Sequence, residues 1–345
     1  MADEPLSPED RLSPEDRRAR ILRAVVEEYV ETAQPVGSGH VARAPGLNVS
    51  SATVRNDMAA LEHEGFLAQP HTSAGRIPTD KGYRYFVDHL GEPARLEGGQ
   101  AQQVRSFFAK AHGELEQMLH DTSRLLSNLT DSAAVVIGPP HDAGTIRSVQ
   151  LVGLSGSTVL LVVVLSNGTV EKASFDLADE VDEVRLGAAT AHVAAAVVGQ
   201  PFSSLGTVTD VGDPATDSVL AAVRRSVDGG QGLQDDPVYV DGASRVAASL
   251  NAIETVTEVL RILEEQFVVV TLLRDVLDRG LQVAIGSETG MAPLAECALV
   301  VAPYEIDGQP AGSIGVLGPT RMNYPQALAA VAVVSKRLGH RLSEG

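Results

Sequence analysis

The tightest constraint on the fold lies in the middle of the chain. "TIRSVQLVGL", "STVLLVVVL" and "TVEKASFDL" (Thr145–Leu154, Ser157–Leu165, Thr169–Leu177) are rich in β-branched and apolar residues, and only Gly-Ser and Asn-Gly turns separate them. Turns this short cannot carry a parallel crossover, so the three segments must form an antiparallel meander. Three further strand signals, "LQVAIGS", "CALVVAPYEI" and "GSIGVLGP", follow residue 280. Ala-rich helix around Leu186–Val198 and a closing helix at Pro325–Leu338 flank them. Six strands with helices before, between and after predict one α+β domain interrupted in sequence. The interruption spans roughly Pro201 to Phe267. It holds a Gly/Asp-rich loop ("VDGGQGLQDDP"), one short strand ("VYVDG") and more helix.

Length and composition bound the rest. A chain of 345 residues has room for two or three domains. Aromatics are only 4% and tryptophan is absent, so the cores must be built from Val, Leu, Ile and Ala. The longest strongly apolar run, Val159–Leu165, is far too short to cross a bilayer. The acidic, proline-containing start has no apolar core and is no signal peptide. The single cysteine, Cys297, excludes an internal disulfide. A cytoplasmic protein without membrane contact is expected. The net charge of −18 argues at first against nucleic acid, but its distribution matters more than its sum. Residues 11–90 hold ten basic and ten acidic residues, whereas residues 91–345 hold 17 basic and 31 acidic. A neutral N-terminal region with a few placed arginines can meet DNA while the acidic remainder is repelled from it.

That N-terminal region opens on a duplication, "LSPEDR" at Leu6–Arg11 and again at Leu12–Arg17. Each copy is a helix-start signal, with Ser as cap and Pro at the first helical position. Only the second leads into an apolar helical pattern (Ile21, Leu22, Val25, Val26, Tyr29), so the first helix starts at Ser13. Gln34–Pro35 breaks it, and Ser38 is read as the cap of a short second helix. After the Pro45–Gly46 turn, Ser50 caps a third helix that Gly65 ends. On a helical wheel Val54, Met58 and Leu61 form the buried stripe. Ala52, Asn56, Ala59 and His63 lie opposite, with Thr53 and Arg55 on the flanks. Alanines let such a face approach another surface closely. Asn can pair with adenine, and Arg can reach guanine or a phosphate. Ser50 and Ser51 sit where a phosphate meets free backbone N–H groups.

"GFLAQPHTSAGRIPT" then reads as strand, turn and strand. Thr79 caps a helix whose buried stripe is Tyr83, Phe86, Val87 and Leu90. Three helices followed by a two-stranded wing make a winged helix-turn-helix, whose third helix enters the major groove. Arg76 near the wing tip, with Thr72 and Ser73, is placed to touch backbone or minor groove. Lys81 and Arg84 read as phosphate partners, and His63 and His71 as surface or phosphate-facing groups.

"SSATVRNDMAALEHEGFLAQPHTSAGRIPTDKGYRYFVD", "VAIGSETG" and "GSIGVLGPTRMNYPQALAAVAVVSKRL" closely resemble the HrcA family of bacterial heat-inducible transcription repressors. The likeness runs over nearly the full chain and is weakest at about residues 180–265. It implies a GAF-like domain interrupted by an inserted dimerisation domain. It also implies a homodimer on the inverted-repeat CIRCE operator of chaperone operons, and folding assisted by the chaperonin GroEL. On that basis residues 1–12 are a disordered tail and 13–90 the winged-helix DNA-binding domain. Residues 91–200 are a linker helix and the first part of the GAF-like domain, 201–267 the insert and 268–345 the second part.

Between the two regions, Val104, Phe108, Ala111, Leu115, Met118, Thr122, Leu125 and Leu129 form a heptad seam. It fits either a dimer coiled coil or, as the preferred reading, a linking helix packed on its own domain. The residues offer no catalytic, cofactor or metal constellation. There is no H-E-x-x-H or G-x-S-x-G, and Gly312, Gly315 and Gly318 do not follow phosphate-loop spacing. "GSIGVLGPTRMNY" reads as a close-packed strand and turn in which Arg321 braces the turn or a domain contact. Cys297 reads as a buried inert thiol. A non-enzymatic repressor is the expectation. Two readings stay open beside it: a regulator with a metabolite bound in the GAF-like domain, and a dimerisation protein whose winged helix binds another protein.

Overall fold

The computed structural model describes residues 13–71, 74–91, 95–110, 115–139, 144–154, 157–166, 168, 170–228, 237–250, 252–280 and 282–344. The expected tail 1–12, the wing residues Thr72 and Ser73, Ala111 of the seam and most of the Gly/Asp-rich loop lie outside the described residues.

The N-terminal unit forms where its caps direct. α1 (Pro14–Thr32) starts behind Ser13, whose Oγ accepts the Asp16 amide at 3.0 Å. α2 (Ser38–Val41) starts one residue earlier than expected. Gly37 is its cap and Ser38 its first residue, with no side-chain cap bond. α3 (Ser51–His63) is capped by Ser50, whose Oγ accepts the Thr53 amide at 3.1 Å. Gly65, at φ +81°, lets the chain turn so that the Gly65 amide reaches Glu62 O and the Phe66 amide reaches Leu61 O. β1 (Leu67–Ala68) and β2 (Ile77–Pro78) pair antiparallel, and Val36 bridges to Arg76 beside them. α4 (Asp80–Asp88) follows the Thr79 cap. Ile21, Leu22, Val25, Val26, Val54, Met58, Leu61, Tyr83 and Phe86 are buried, as the three stripes predict, whereas Tyr29, Val87 and Leu90 are half-buried.

The seam does not form one straight helix. α5 (Gly98–Lys110) and α6 (Leu115–Thr130) double back on each other. Gln100 Nε2 donates to Leu129 O at 3.4 Å, whereas a straight helix would hold those residues about 43 Å apart. Val104, Phe108, Thr122, Leu125 and Leu129 are buried within the chain, so the seam packs on its own domain.

α6 runs into β3 (Ala133–Ile137), an interior strand of a sheet the sequence pattern did not disclose. β3 belongs to an antiparallel five-stranded sheet in the order β7-β3-β10-β9-β8. Its other strands are β7 (Val238–Asp241), β8 (Val283–Ile285), β9 (Cys297–Ile306) and β10 (Gln309–Pro319). α6 and α12 (Tyr324–Glu344) cover one face, where Ala134, Val136, Val300, Ile314 and Val316 point. α9 (Ala243–Ser249), α10 (Ile253–Glu264) and α11 (Gln266–Asp278) cover the other, against Ala133, Val135, Ile137, Leu299, Val301 and Leu317. Alternate residues of each strand therefore feed two separate apolar layers.

The meander is antiparallel as expected, but it is not part of that sheet. β4 (Ile146–Gly153), β5 (Thr158–Leu165) and β6 (Val170–Asp176) form their own sheet, and α7 (Glu183–Val197) and α8 (Pro214–Asp228) pack on one face of it. The expectation of one six-stranded domain with an insert at 201–267 is corrected accordingly. The unit interrupting the five-stranded sheet is formed by described residues between 144 and 228. "VYVDG" is instead the edge strand paired with β3, and α10 and α11 pack on the main sheet. Tight turns close the meander on itself, while β3 finds its partners about a hundred or more residues later.

Two glycines show how differently this packing treats an added methyl group. A Cβ on Gly312 would strike the Ile137 carbonyl and the Tyr304 hydroxyl, which are themselves hydrogen-bonded at 2.9 Å. Gly187 on α7 is exposed with nothing nearby. Gly312→Ala is expected to destabilise by about 1–3 kcal/mol through overpacking. Gly187→Ala is expected to stabilise by about 0.5–1 kcal/mol. Urea midpoints of the two variants moving in the same direction would contradict this packing.

Candidate nucleic-acid interface

α3 presents the face its sequence laid out. Val54, Met58 and Leu61 are buried, while Ser50, Ser51, Ala52, Arg55, Asn56, Ala59 and His63 are exposed and Thr53 is half-buried. Ser50 and Thr53 hydroxyls lie 3.0 Å apart and close the first turn. Arg55 and Asn56 have no side-chain partner among the described residues, so both extend from the helix ready for an external acceptor or donor. The residues that read as base-contacting and first-turn groups are thus gathered on one open surface.

The basic residues after α3 do something else. Arg76 is not held out at a wing tip: its guanidinium pairs with Glu62 at 2.9 Å and its side chain is 20% exposed. That pair ties the hairpin to α3. Gly75 is small because the Val36 backbone occupies the space a Cβ would take, and the Val36 and Arg76 backbones exchange two hydrogen bonds of 2.9 Å. The space beside Gly75 is thus filled by the protein's own chain. Lys81 Nζ donates to Glu64 O at 2.8 Å, completing the C-terminal end of α3, and lies 4.3 Å from the Phe66 ring centroid. His71 is exposed and its carbonyl accepts the Ala74 amide at 2.8 Å.

Arg84 points the other way. Its Nε donates to Glu288 Oε1 at 2.9 Å, its Nη2 pairs with Glu288 Oε2 and donates to Val283 O at 2.8 Å, and Asp88 lies 3.3 Å from Nη1. The hydrogen bonds it donates to Glu288 raise the Arg84 pKa above the usual guanidinium value against the effect of burial. Burial pushes the Glu288 carboxyl up, but the bonds it accepts from Arg84 and from the Ile285 amide outweigh this and hold it below the usual range. The reading of Arg84 as a phosphate partner is therefore corrected: its fork is consumed by the five-stranded domain.

The sequence reading also missed Asp57, a buried acid on the apolar side of α3. Arg17 of α1 grips it through Nε at 2.6 Å and Nη2 at 3.2 Å. The signal was available, since an acid beside Val54, Met58 and Leu61 needs a partner. Arg43, exposed in the turn before α3 and unpaired among the described residues, was missed as well.

Elsewhere the chemistry is sparse. Burial pushes the Cys297 thiol up to about 12, which keeps it protonated and unreactive at neutral pH. Among the described residues no group of three or more His, Cys, Asp or Glu could hold a metal ion, and no helix is long and apolar enough to cross a membrane. Arg321 donates to Ser249 O at 3.1 Å and braces the turn after β10 against α9. A cleft of about 160 Å³ between α1 and α4 and another of about 280 Å³ beside the start of α12 are open depressions.

Known proteins place this arrangement. Residues 116–328 match the family model described as the HrcA protein C-terminal domain. The heat-inducible transcription repressor HrcA of Acidothermus cellulolyticus is 40% identical over 337 residues, covering 96% of this chain and 99% of that protein. The proteins of the same name from Kocuria rhizophila and Nocardia farcinica are each 38% identical, over 95% and 96% of this chain and 99% and 98% of theirs. A crystal structure described only as that of a hypothetical protein shares the fold, with a TM-score of 0.67 at 21% identity, over 97% of this chain and 99% of that one. With its N-terminal sequence, its body and nearly its whole length aligned to these repressors, the chain belongs to the HrcA family.

Proposed function

We propose that the protein is a sequence-specific DNA-binding repressor of heat-shock genes, in which α2 and α3 form the helix-turn-helix and β1–β2 the wing of a winged-helix domain. The observation that carries this is the open face of α3. Arg55 and Asn56 stand free between Ala52 and Ala59, on a helix clamped from behind by Asp57, Glu62 and the Glu64 carbonyl. A recognition helix needs both properties, free polar groups on small-residue ground and a rigid back. Arg55 and Asn56 read base edges. Ser50, Ser51, Thr53 and Arg43, with His71, Thr72 and Ser73 of the hairpin, meet the sugar–phosphate backbone. Arg76 and Lys81 position these groups. The acidic remainder of the chain keeps the duplex at this end.

The family resemblance extends the proposal to a homodimer on the CIRCE inverted repeat, to a GAF-like assignment for the five-stranded domain, and to GroEL as the chaperonin that maintains the active form. Support for the dimer comes from β5. Its alternate residues Val159, Leu161, Val163 and Leu165 are buried under α7 and α8. The opposite set, Leu160, Val162 and Val164, is apolar too and only half-buried, beside exposed Val152 and Val170. A strand solvated on one side alternates apolar with polar; β5 is apolar on both sides, and although Gln150, Lys172 and Ser174 flank it on the outer face, such an apolar strip calls for a second cover. A second copy of the chain supplies it.

Fluorescence-anisotropy titration of inverted-repeat and scrambled duplexes, with chaperonin and ATP present, tests the reading. A preference of at least about a thousandfold for the repeat is expected; equal weak binding would refute the assignment. Arg55→Ala and Asn56→Ala should each cost about 1–3 kcal/mol on the repeat and relax preference at one half-site position. Arg76→Ala should weaken all duplexes alike and leave the salt slope unchanged, because it acts through Glu62. A slope smaller by about one would put the guanidinium on a phosphate instead. Sedimentation of Val162→Glu should show a monomer. A dimer of unaltered strength would remove the open β5 face from the interface.

A further inference from the structure

The N-terminal unit meets the body through side-chain contacts of its own. Its α4 docks on the five-stranded domain through three different interactions within two helical turns. Tyr83 packs against Tyr324 at the start of α12, ring centroids 5.8 Å apart, and both rings are buried. Asp80 sits over the 3₁₀ turn Gly286–Thr289, its Oδ2 3.4 Å from the Ser287 amide. Gly286, at φ +53°, leaves room for that carboxylate where any Cβ would collide with it. Arg84 closes the group with its fork on Glu288 and its third bond to Val283 O. Glu288 is held in turn by the Ile285 amide at 2.9 Å, and its carbonyl accepts Arg279 Nη1 at 2.8 Å. The turn that receives α4 is therefore itself fixed to β8 and α11.

We propose that the Arg84–Glu288 pair is a positioning device that fixes the DNA-binding unit to the body and so sets the half-site spacing the dimer accepts. This rests on the dimeric DNA-binding reading above. The physical reason is geometric. Each base pair added between half-sites moves the second by about 3.4 Å and rotates it by about 35°. A hinged unit absorbs such a change at little cost. A unit held by two aromatic rings and a forked ion pair has to break the pair or lose one half-site. The apolar contact between Tyr83 and Tyr324 holds the surfaces together but is weakly directional. The bidentate pair supplies the angular restraint.

Two full-length variants separate this role from simple loss of folding. Glu288→Gln removes the charge but keeps an acceptor for the Ile285 amide. Arg84→Met keeps the apolar stem and loses the fork. Affinity is measured for duplexes with the preferred spacing, with one or two base pairs more or fewer, and with a single half-site. The wild type should lose about tenfold or more per base pair of altered spacing, and each variant about threefold or less. Single half-site affinity should stay within about twofold in both variants. The double variant should behave like either single one, because one interaction is being removed. Hydrogen exchange of the DNA-free proteins provides a readout independent of DNA: amides of α4 and residues 283–289 should exchange faster by about tenfold in the variants. Unchanged exchange overturns the latch itself. Faster exchange with an unaltered spacing profile overturns its role in spacing. A wild type indifferent to spacing overturns that role together with the dimeric reading. Loss of single half-site affinity in Arg84→Met with a smaller salt slope would make Arg84 a phosphate contact rather than a positioning residue.

Discussion

The packing of Tyr83 against Tyr324 is the contact on which the rest of the architecture depends. Through it, the apolar cluster that begins at Ile21, Val25 and Val54 in the N-terminal unit continues into Leu126, Ala134, Val316 and Val331 of the five-stranded domain. Two cores that could have been separate are one. α3 is therefore oriented by the body, and every group on its outer face inherits that orientation. Polar ties then act on a helix already in place. Arg17 holds Asp57 from α1, Arg76 holds Glu62 from the hairpin, and Lys81 holds the C-terminal carbonyl end. Apolar burial supplies the attraction, and charged hydrogen bonds supply the direction.

What the sequence disclosed follows the reach of each interaction. Ser13, Ser50 and Thr79 were legible as caps because a cap is made within three residues. The first-turn wheel of α3 was legible because helical periodicity is local. Ser38 went wrong by one position, since Gly37 offers no side chain to mark the start. β3 escaped notice because both its faces are buried, so "AAVVI" shows no alternation and follows directly on a helical seam. The meander could be read from its turns, but its separation from the main sheet could not. The partners of β3 are β10 and β7, and nothing near Ala133 announces them. The same limit applies to the site. Charge shows that Arg76, Lys81 and Arg84 are present, and only the tertiary contacts show that each already has a partner within the chain. Asp57 was the exception, readable from its position on an apolar stripe.

The division of labour follows from these placements. The N-terminal unit carries the free polar groups and is neutral, whereas the chain beyond residue 90 carries the excess acid. The three-stranded unit has its own core and carries a half-buried apolar strip of β5 on its outer face. The five-stranded domain connects the two, receiving α4 on one side and giving rise to the meander between β3 and β7. The proposed arrangement, with DNA at one end and a second copy at another, needs a stiff body between those surfaces. Helices on both faces of a five-stranded sheet provide it.

The most direct test of this account is hydrogen exchange of the full-length protein with and without an inverted-repeat duplex, read segment by segment. The α3 face predicts protection concentrated at residues 50–56, with the three-stranded unit at 146–176 unaltered by DNA. Protection of the body in place of α3, or none anywhere while the duplex is bound, would contradict it.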